Sequence, residues 1–343
     1  MLINELNTTL PNKKDEEFLK INFDSLFSYD FKKSKNSEFD IMGLETIKDE
    51  NLYESCLFNI TKNLDENQKV LTINKNIAEP IFLIHKVKED ETFFTNSLKI
   101  EVKENIKAQV VEVFVNSSKN SAFGVNRKII LEKNASLEYV KIQDISSLNS
   151  IIFATAAEQK ENSNLKITNF EFGDGFVINS FENIINDEFA KYELNGLIKL
   201  FNEANTSTLV KTIHNKKNST SSINYKNSLK HSSKAVVKIK SIVNEAAIFS
   251  KAFQNCNTIL LSDEATIIAQ PHLEIYIDEL EASHGTTTGS LNKEQLLYLQ
   301  SRGISQEKAY DMILEAFESS IKNSIENEII KQFVQDYKKE KYV

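Results

Sequence analysis

From about Pro80 onward, short runs of β-branched and aromatic residues recur, separated by clusters of Asn, Asp, Ser and Lys. Such clusters favour turns because their side chains hydrogen-bond the local backbone. No long amphipathic helix lies between the runs, so a sheet of alternating strands and helices is not indicated. The pattern predicts short strands at residues 81–87, 98–102, 110–115, 129–131, 137–142, 165–167, 170–172, 197–201, 236–239, 248–253 and 266–268.

Many short strands over about two hundred residues are compatible with a sandwich, a barrel or a solenoid. Small residues recur before apolar pairs at residues 235–237, 246–248 and 265–268, as if similar coils were stacked. A β-helix also needs no long connections between its strands. The pattern therefore favours a β-helix, although the repeat is irregular and leaves the other two architectures open.

Helices are predicted on both sides of this β-rich core. Residues 1–80 have a mixed, mainly helical pattern, with candidate helices at 15–26 and 44–57. At the other end, Asn292 followed by Gln295 predicts a helix start through an approximate capping box. We therefore divide the chain into an N-terminal region, 1–80, a β-helix core, 81–289, and a C-terminal helical domain, 290–343.

Within the C-terminal domain, Gly303 is placed to close the first helix and Ser305 to cap the next one. Apolar residues then recur at three-and-four spacing, which is typical of a helix that buries one face. They are Ala309, Met312, Ile313, Ala316, Phe317, Ile321, Ile325, Ile329, Ile330, Phe333, Val334 and Tyr337.

A polar stretch joins the core to this helical domain. Leu273, Ile275 and Ile277 alternate with polar residues, which predicts a half-buried strand. The segment Ser283-His284-Gly285 follows it, and we expect a short polar turn there, so that a histidine lies where the sheet meets the helical tail.

Composition excludes several classes of function. The net charge of −8 argues against nucleic acid as the main partner, because phosphate binding needs a basic surface. No apolar run is long enough to cross a membrane, and the first residues do not resemble a signal peptide. Only Cys56 and Cys256 occur, which indicates a reducing cytoplasm and no disulfide framework. There is no phosphate-binding loop, no nucleophile elbow and no local metal-binding motif.

Several segments together resemble the SufD proteins of the SUF machinery for iron–sulfur cluster assembly. The shared segments are Lys14-Asp15-Glu16-Glu17-Phe18, Leu260-Leu261-Ser262-Asp263, Leu273-Glu274-Ile275, Ser283-His284-Gly285-Thr286-Thr287 and Ser301-Arg302-Gly303-Ile304. The similarity is densest over residues 234–317. It is far more specific than a single short motif.

The resemblance implies a fold and a function. SufD proteins have a right-handed parallel β-helix core, which strengthens the prediction made from the strand pattern. The family further implies a cytoplasmic, non-catalytic scaffold subunit that pairs with SufB through the core and with the SufC ATPase through the C-terminal helices. A transient iron–sulfur cluster or iron would lie at the interface with SufB, with none tightly bound to the isolated chain, which could form a homodimer.

His284 is the candidate iron ligand that the resemblance singles out. In SufD the matching histidine lies at the interface with SufB, and neutral imidazole is a natural ligand of iron. From the sequence alone, a turn histidine that hydrogen-bonds the local backbone remains an alternative.

Cys256 is a second candidate for binding the nascent cluster. It stands 28 positions before His284, so one or two coils of a β-helix could bring the two residues close together. SufB has its functional cysteine at about this position, and a thiolate beside an imidazole suits iron binding or sulfur transfer. The alternative is an inert, buried thiol.

Two positions depart from the related patterns. Ala282 stands where many SufD proteins have a cysteine, so any role of that thiol is absent here. Gly285 stands where SufB proteins usually have glutamate, which favours SufD over SufB. Two other functions stay open at this point: a carbohydrate-active β-helix enzyme, and a SufB-like scaffold that acts as a homodimer.

Overall fold

Strands that alternate between two sheets occupy the chain from residue 67 to residue 289 in the computed structural model. The structure describes residues 10–12, 14–36, 41, 44–49, 51, 53–65, 67–116 and 118–342. The strands are β3 (Asn67–Ile73), β4 (Ile81–Val87), β5 (Thr92–Val102), β6 (Lys107–Asn116), β7 (Ala122–Leu131), β8 (Ser136–Ile145), β9 (Ser150–Gln159), β10 (Asn164–Gly173), β11 (Phe176–Ile185), β12 (Lys191–Leu200), β13 (Asn205–His214), β14 (Thr220–Leu229), β15 (Lys234–Val243), β16 (Lys251–Leu260), β17 (Thr266–Ile275) and β18 (Glu281–Gly289).

These strands form a parallel β-solenoid of about eight turns, which confirms the predicted β-helix core. Odd-numbered strands from β3 to β17 form one sheet, the odd sheet, and even-numbered strands from β4 to β18 form the other, the even sheet. Aligned residues on successive turns are 26 to 32 positions apart in sequence, from Ser150 with Phe176 to Lys234 with Thr266. This variable turn length explains why the sequence shows no fixed period.

Alternate residues of each strand point into the solenoid, where apolar side chains from both sheets meet. Several predicted strand runs were too short, because polar inward residues interrupt them. Strand β14 has the polar sequence TSSINYKNSL, and its Ser221 and Asn227 are nevertheless buried. The runs predicted at 165–167 and 170–172 belong to the single strand β10.

Sharp corners connect the strands, and most corners place a residue in the left-handed backbone region. Asn105, Asn134 and Asn162 occupy successive turns of one corner, with φ between 54° and 62°. Their side chains form a ladder in which Asn134 donates to Asn105 and Asn162 donates to Asn134, both at 2.8 Å. Asparagine tolerates this conformation better than other residues with a Cβ atom do.

Further along the same corner, Phe189 and Phe249 replace asparagine on either side of Asn218. Phe249 has a φ of 58° and is 58% exposed, although it falls within the predicted strand run 248–253. Here the apolar residue is outside the strand, because β16 begins only at Lys251.

Short helices and strands precede the solenoid. They are a 3-10 helix (Glu16–Phe18), α1 (Asp24–Phe27), β1 (Lys33–Asn36), β2 (Glu45–Lys48) and α2 (Cys56–Leu64). The helix predicted at 44–57 is therefore wrong over most of its length, since β2 pairs with β3 and α2 begins only at Cys56. An N-terminal cluster with Phe18, Phe23 and Phe31 packs on the outer face of the odd sheet against Ile178.

Three helices follow the solenoid: α3 (Lys293–Ser301), α4 (Gln306–Asn323) and α5 (Glu328–Tyr342). Asn292 and Ser305 cap α3 and α4 as predicted, because each side chain accepts hydrogen bonds from backbone N–H groups of the first turn. Part of the predicted apolar stripe of α4 and α5 is buried against the outer face of the even sheet, where Ile321 and Ile330 meet Phe170. Met312 and Ile329 of the same stripe are exposed.

Two buried carboxylates also hold these helices on the even sheet. Glu138 accepts hydrogen bonds from the backbone N–H groups of Glu326 and Asn327, at 2.7 and 3.2 Å, just before α5 begins. Glu318 of α4 is fully buried and accepts a hydrogen bond from the Ser228 hydroxyl at 3.2 Å. The helical tail is thus bound along the outside of the solenoid.

Replacing Phe249 by asparagine is expected to stabilise the protein. The left-handed conformation costs a phenylalanine about 1 kcal/mol more than an asparagine, and an exposed ring has few contacts to lose. The Phe249→Asn variant should therefore unfold at a higher temperature. The reverse change one turn earlier, Asn218→Phe, is the matched control and should lower the unfolding temperature. Equal unfolding temperatures for both variants and the parent would contradict this account.

Candidate functional site

The last turn of the solenoid is open. Strand β17 lies at the edge of the odd sheet and β18 at the edge of the even sheet. Most side chains of β18 are exposed, because no further turn covers them among the residues that the structure describes. Each edge strand therefore presents backbone N–H and C=O groups on one side, where another strand can pair.

His284 lies in the middle of β18 and is exposed. The prediction of a turn at residues 283–285 is wrong, since all three residues pair with β16. A strand at the end of a solenoid has no following turn to bury its inward face, so it needs no apolar residues there. The polar sequence of this segment consequently resembled a turn.

The register of β16 and β18 places His284 beside Gln254. Gln254 is 3% exposed, and its side chain extends across the interior to the odd sheet. Its amide nitrogen donates to the Ser241 hydroxyl at 2.7 Å and to the His272 backbone carbonyl at 3.0 Å. The inward-facing position of His284 is thus next to a fixed, buried amide.

A cavity of about 340 Å³ lies on the outer face of the even sheet at this end, because most of its lining residues occupy outward-facing positions of β14, β16 and β18. His284 and Gln254 both line it, together with Asn224, Phe253, Asn255, Ser283 and Gly285. A Cβ atom added at Gly285 would meet only the Asn255 side-chain oxygen, at 3.9 Å. The cavity is therefore open above Gly285 and can admit a ligand or a side chain from another protein.

Cys256 is one strand away from His284 but is aligned with Thr286. Its thiol is completely buried, and the Asn227 amide donates a hydrogen bond to the sulfur at 3.3 Å. Burial raises the pKa of the Cys256 thiol to about 11, although the hydrogen bond from Asn227 opposes this shift. In this state Cys256 is a protonated thiol that does not reach the cavity surface.

Deeper in the solenoid lies a buried cluster of charged residues that the sequence analysis missed. Glu112 accepts hydrogen bonds from Arg127, at 2.6 and 2.9 Å, and from the Tyr139 hydroxyl. A ring nitrogen of His85 also lies 2.7 Å from the Glu112 carboxylate. Burial alone would raise the pKa of Glu112, but the Arg127 charge and the hydrogen bonds lower it below its ordinary value. The signal in the sequence that could have revealed this cluster is an acidic residue at an inward position of β6, between Val111 and Val113.

A second buried polar group extends from this cluster towards the open end. Lys141 donates to the Asn179 side chain at 2.8 Å and lies 4.1 Å from the centre of the Phe153 ring. Burial lowers the pKa of Lys141 to about 7, and burial also raises the pKa of Glu171, which accepts a hydrogen bond from Thr208 at 2.8 Å. The solenoid interior is therefore partly polar along its axis.

A separate apolar groove lies at the start of the helical tail. It has a volume of about 710 Å³ and is lined by Ile259, Leu291, Tyr298, Leu299, Met312, Ile313 and Phe317, among others. Tyr298 and Met312 are 59% and 43% exposed. This groove lies between α3, α4 and the end of β16, on the side of the molecule where the open end is located.

Neither a metal cluster nor a membrane helix is found in the part of the chain that the structure describes. No group of three or more His, Cys, Asp or Glu residues there is arranged to hold a metal ion. No described helix is both long and apolar enough to cross a membrane.

The fold and the open end define a two-sheet parallel β-solenoid that ends in an exposed histidine. The family model for the SUF system FeS cluster assembly SufBD core domain matches residues 84–317, and the chain belongs to this family. The resemblance to SufD is thereby confirmed.

Individual relatives agree with this assignment. The chain is 26% identical to the iron–sulfur cluster assembly protein SufD of Escherichia coli K12 over 75% of its own length and 62% of the relative's. It is also 26% identical to SufD of Plasmodium berghei, over 82% of its own length and 21% of the relative's. A SufBD family protein of Synechocystis is 24% identical over 74% of the chain and 58% of that relative. The chain thus spans less than two thirds of these relatives.

The Cys256 thiol is expected to resist alkylation in the folded protein. A pKa of about 11 leaves little thiolate near pH 8, so modification should be at least about 10²-fold slower than for a free cysteine. The reaction with iodoacetamide can be followed by mass spectrometry in a Cys56→Ser variant, which leaves Cys256 as the single thiol. The same variant in concentrated guanidinium chloride is the control. Alkylation of the folded protein at the rate of the unfolded one would refute the buried, protonated state.

Proposed function

We propose that this chain is a non-catalytic scaffold subunit of a SUF-type complex, in which iron–sulfur clusters are assembled at the open end of the solenoid. The exposed His284 on β18, the last edge strand of the even sheet, is the observation that supports this proposal most directly. Membership of the SufBD core family gives the chemical context. A cytoplasmic location agrees with the two free cysteines.

A SufB-type chain is the proposed partner at the open end. Edge strands β17 and β18 offer unpaired backbone groups, and strand addition to such an edge is a common mode of protein association. The partner's strands would continue both sheets and cover the cavity beside His284. In the absence of that partner, a second copy of this chain offers the same kind of edge, so the isolated protein could pair with itself as a homodimer.

His284 would supply one ligand to iron or to the nascent cluster at this interface. A neutral imidazole binds iron through one ring nitrogen, and clusters are commonly held by four protein ligands, mainly thiolates. The other donors would come from the partner, so that the cluster is a substrate held only while the two chains are together. Cys256 remains a candidate second ligand, which would have to lose its proton and the cover above it.

A SufC-type ATPase is the proposed partner of the C-terminal helices. The apolar groove beside Tyr298 and Met312 is the surface that such a partner would cover. Because α4 is bound to the even sheet through Glu318, a force on the helices would act on the solenoid near the open end. The ATPase cycle could in this way alter access to the cavity.

Replacing His284 by alanine should impair cluster formation but not assembly of the complex. The imidazole is exposed, so its loss leaves the fold and the strand edge intact. Removing a residue that only orients a metal ligand already costs about 10-fold or more in metal binding, and loss of the ligand itself should reduce cluster yield at least as much. Yield is measured from the visible absorbance and the iron and sulfide content of the purified complex.

His272→Ala is the matched control for that variant. His272 is also exposed and belongs to the last turn, but its side chain lies beside Glu274 at 3.5 Å, on the outer face. This variant should form clusters as the parent does. A normal cluster yield from the His284→Ala complex would contradict the proposed role of His284.

A further inference from the structure

Gln254 contains a buried hydrogen-bond acceptor that has no partner. Its side-chain oxygen, Oε1, is shielded from solvent and accepts no hydrogen bond from any described residue. Such an orphaned buried acceptor costs free energy, so its presence beside a candidate ligand needs an explanation.

The orientation of this amide is fixed by its surroundings. The His272 backbone carbonyl can only accept a hydrogen bond, so the group that faces it at 3.0 Å must be the Gln254 NH₂. The second N–H of the same group binds the Ser241 hydroxyl at 2.7 Å. Both amide protons are therefore used, and Oε1 is held in place as a free acceptor.

His284 is the donor placed to satisfy Oε1. The two residues are aligned on adjacent parallel strands, whose backbones lie about 4.8 Å apart. They belong to the same inward-facing set of positions, because alternate residues of each strand face the interior. The imidazole of His284 is exposed, so it can rotate between side-chain conformers freely.

We propose that Gln254 is the positioning residue of His284, and this inference rests on the function proposed above. Oε1 of Gln254 accepts the hydrogen bond of one ring N–H, which fixes the tautomer of the neutral imidazole and directs its other nitrogen to the open end of the solenoid. Histidines that bind metals almost always donate their second ring N–H in this manner. Gln254 thereby makes His284 a ready ligand, while its NH₂ group binds the odd sheet.

Iron affinity in the complex gives the first test. The complex with a SufB-type partner is titrated anaerobically with ferrous ion, in the parent and in the Gln254→Leu variant. The dissociation constant should rise about 10-fold in the variant. Gln159→Leu is the matched control, because Gln159 is also fully buried and hydrogen-bonded but lies in β9, far from the open end. Its iron affinity should equal that of the parent.

Parental affinity in Gln254→Leu would overturn the proposal. An equal loss in both leucine variants would also overturn it, because the effect would then reflect the stability of the solenoid and not the position of His284.

The ring tautomer gives a second test that does not depend on iron. The full chain is labelled with ¹⁵N-histidine, and the two ring nitrogen signals of His284 are recorded at alkaline pH, where imidazole is neutral. The parent should show one dominant tautomer with a hydrogen-bonded N–H, and Gln254→Leu should show a mixture. A mixture in the parent would overturn the proposal. Should His284→Ala bind ferrous ion as the parent does, the proposed function would fail, whereas the tautomer would still decide the role of Gln254.

Discussion

A parallel solenoid cannot pair its own last strands, and this constraint determines where the protein can act. Within the stack each turn is hydrogen-bonded by the next one, which covers most backbone groups and inward side chains until the chain leaves the stack. After β17 and β18 the chain continues as helices that turn back along the even sheet. The strand edge and His284 both remain exposed for this reason.

The rest of the molecule makes that end rigid. The N-terminal aromatic cluster covers the outer face of the odd sheet, and α4 and α5 cover the outer face of the even sheet. Inside, the salt bridge of Arg127 with Glu112 and the hydrogen bond from Lys141 to Asn179 link neighbouring turns. A rigid frame suits a site that two proteins share, because each ligand must be in place when the chains meet.

The sequence predicted the solenoid and singled out His284 as a candidate iron ligand, but mainly through the resemblance to SufD. Predictions from the local pattern were wrong where the solenoid buries polar residues or exposes apolar ones. Polar residues of β14 are buried, Phe249 occupies an exposed corner, and the polar β18 is a strand. Gln254 gave no indication in the sequence, since its partners Ser241 and His272 come close only when successive turns stack. Its role depends on register, which the varying turn length conceals.

The mass of the assembled complex tests directly whether the open end of the solenoid receives a SufB-type protein. The chain is co-expressed with SufB-type and SufC-type proteins from the same source, and the purified material is weighed by light scattering. The account predicts a defined complex with one copy of this chain, one SufB-type chain and two SufC-type chains. A chain that purifies alone, or only as a self-dimer in the presence of both partners, would contradict the proposal that its open end is built to receive a SufB-type protein.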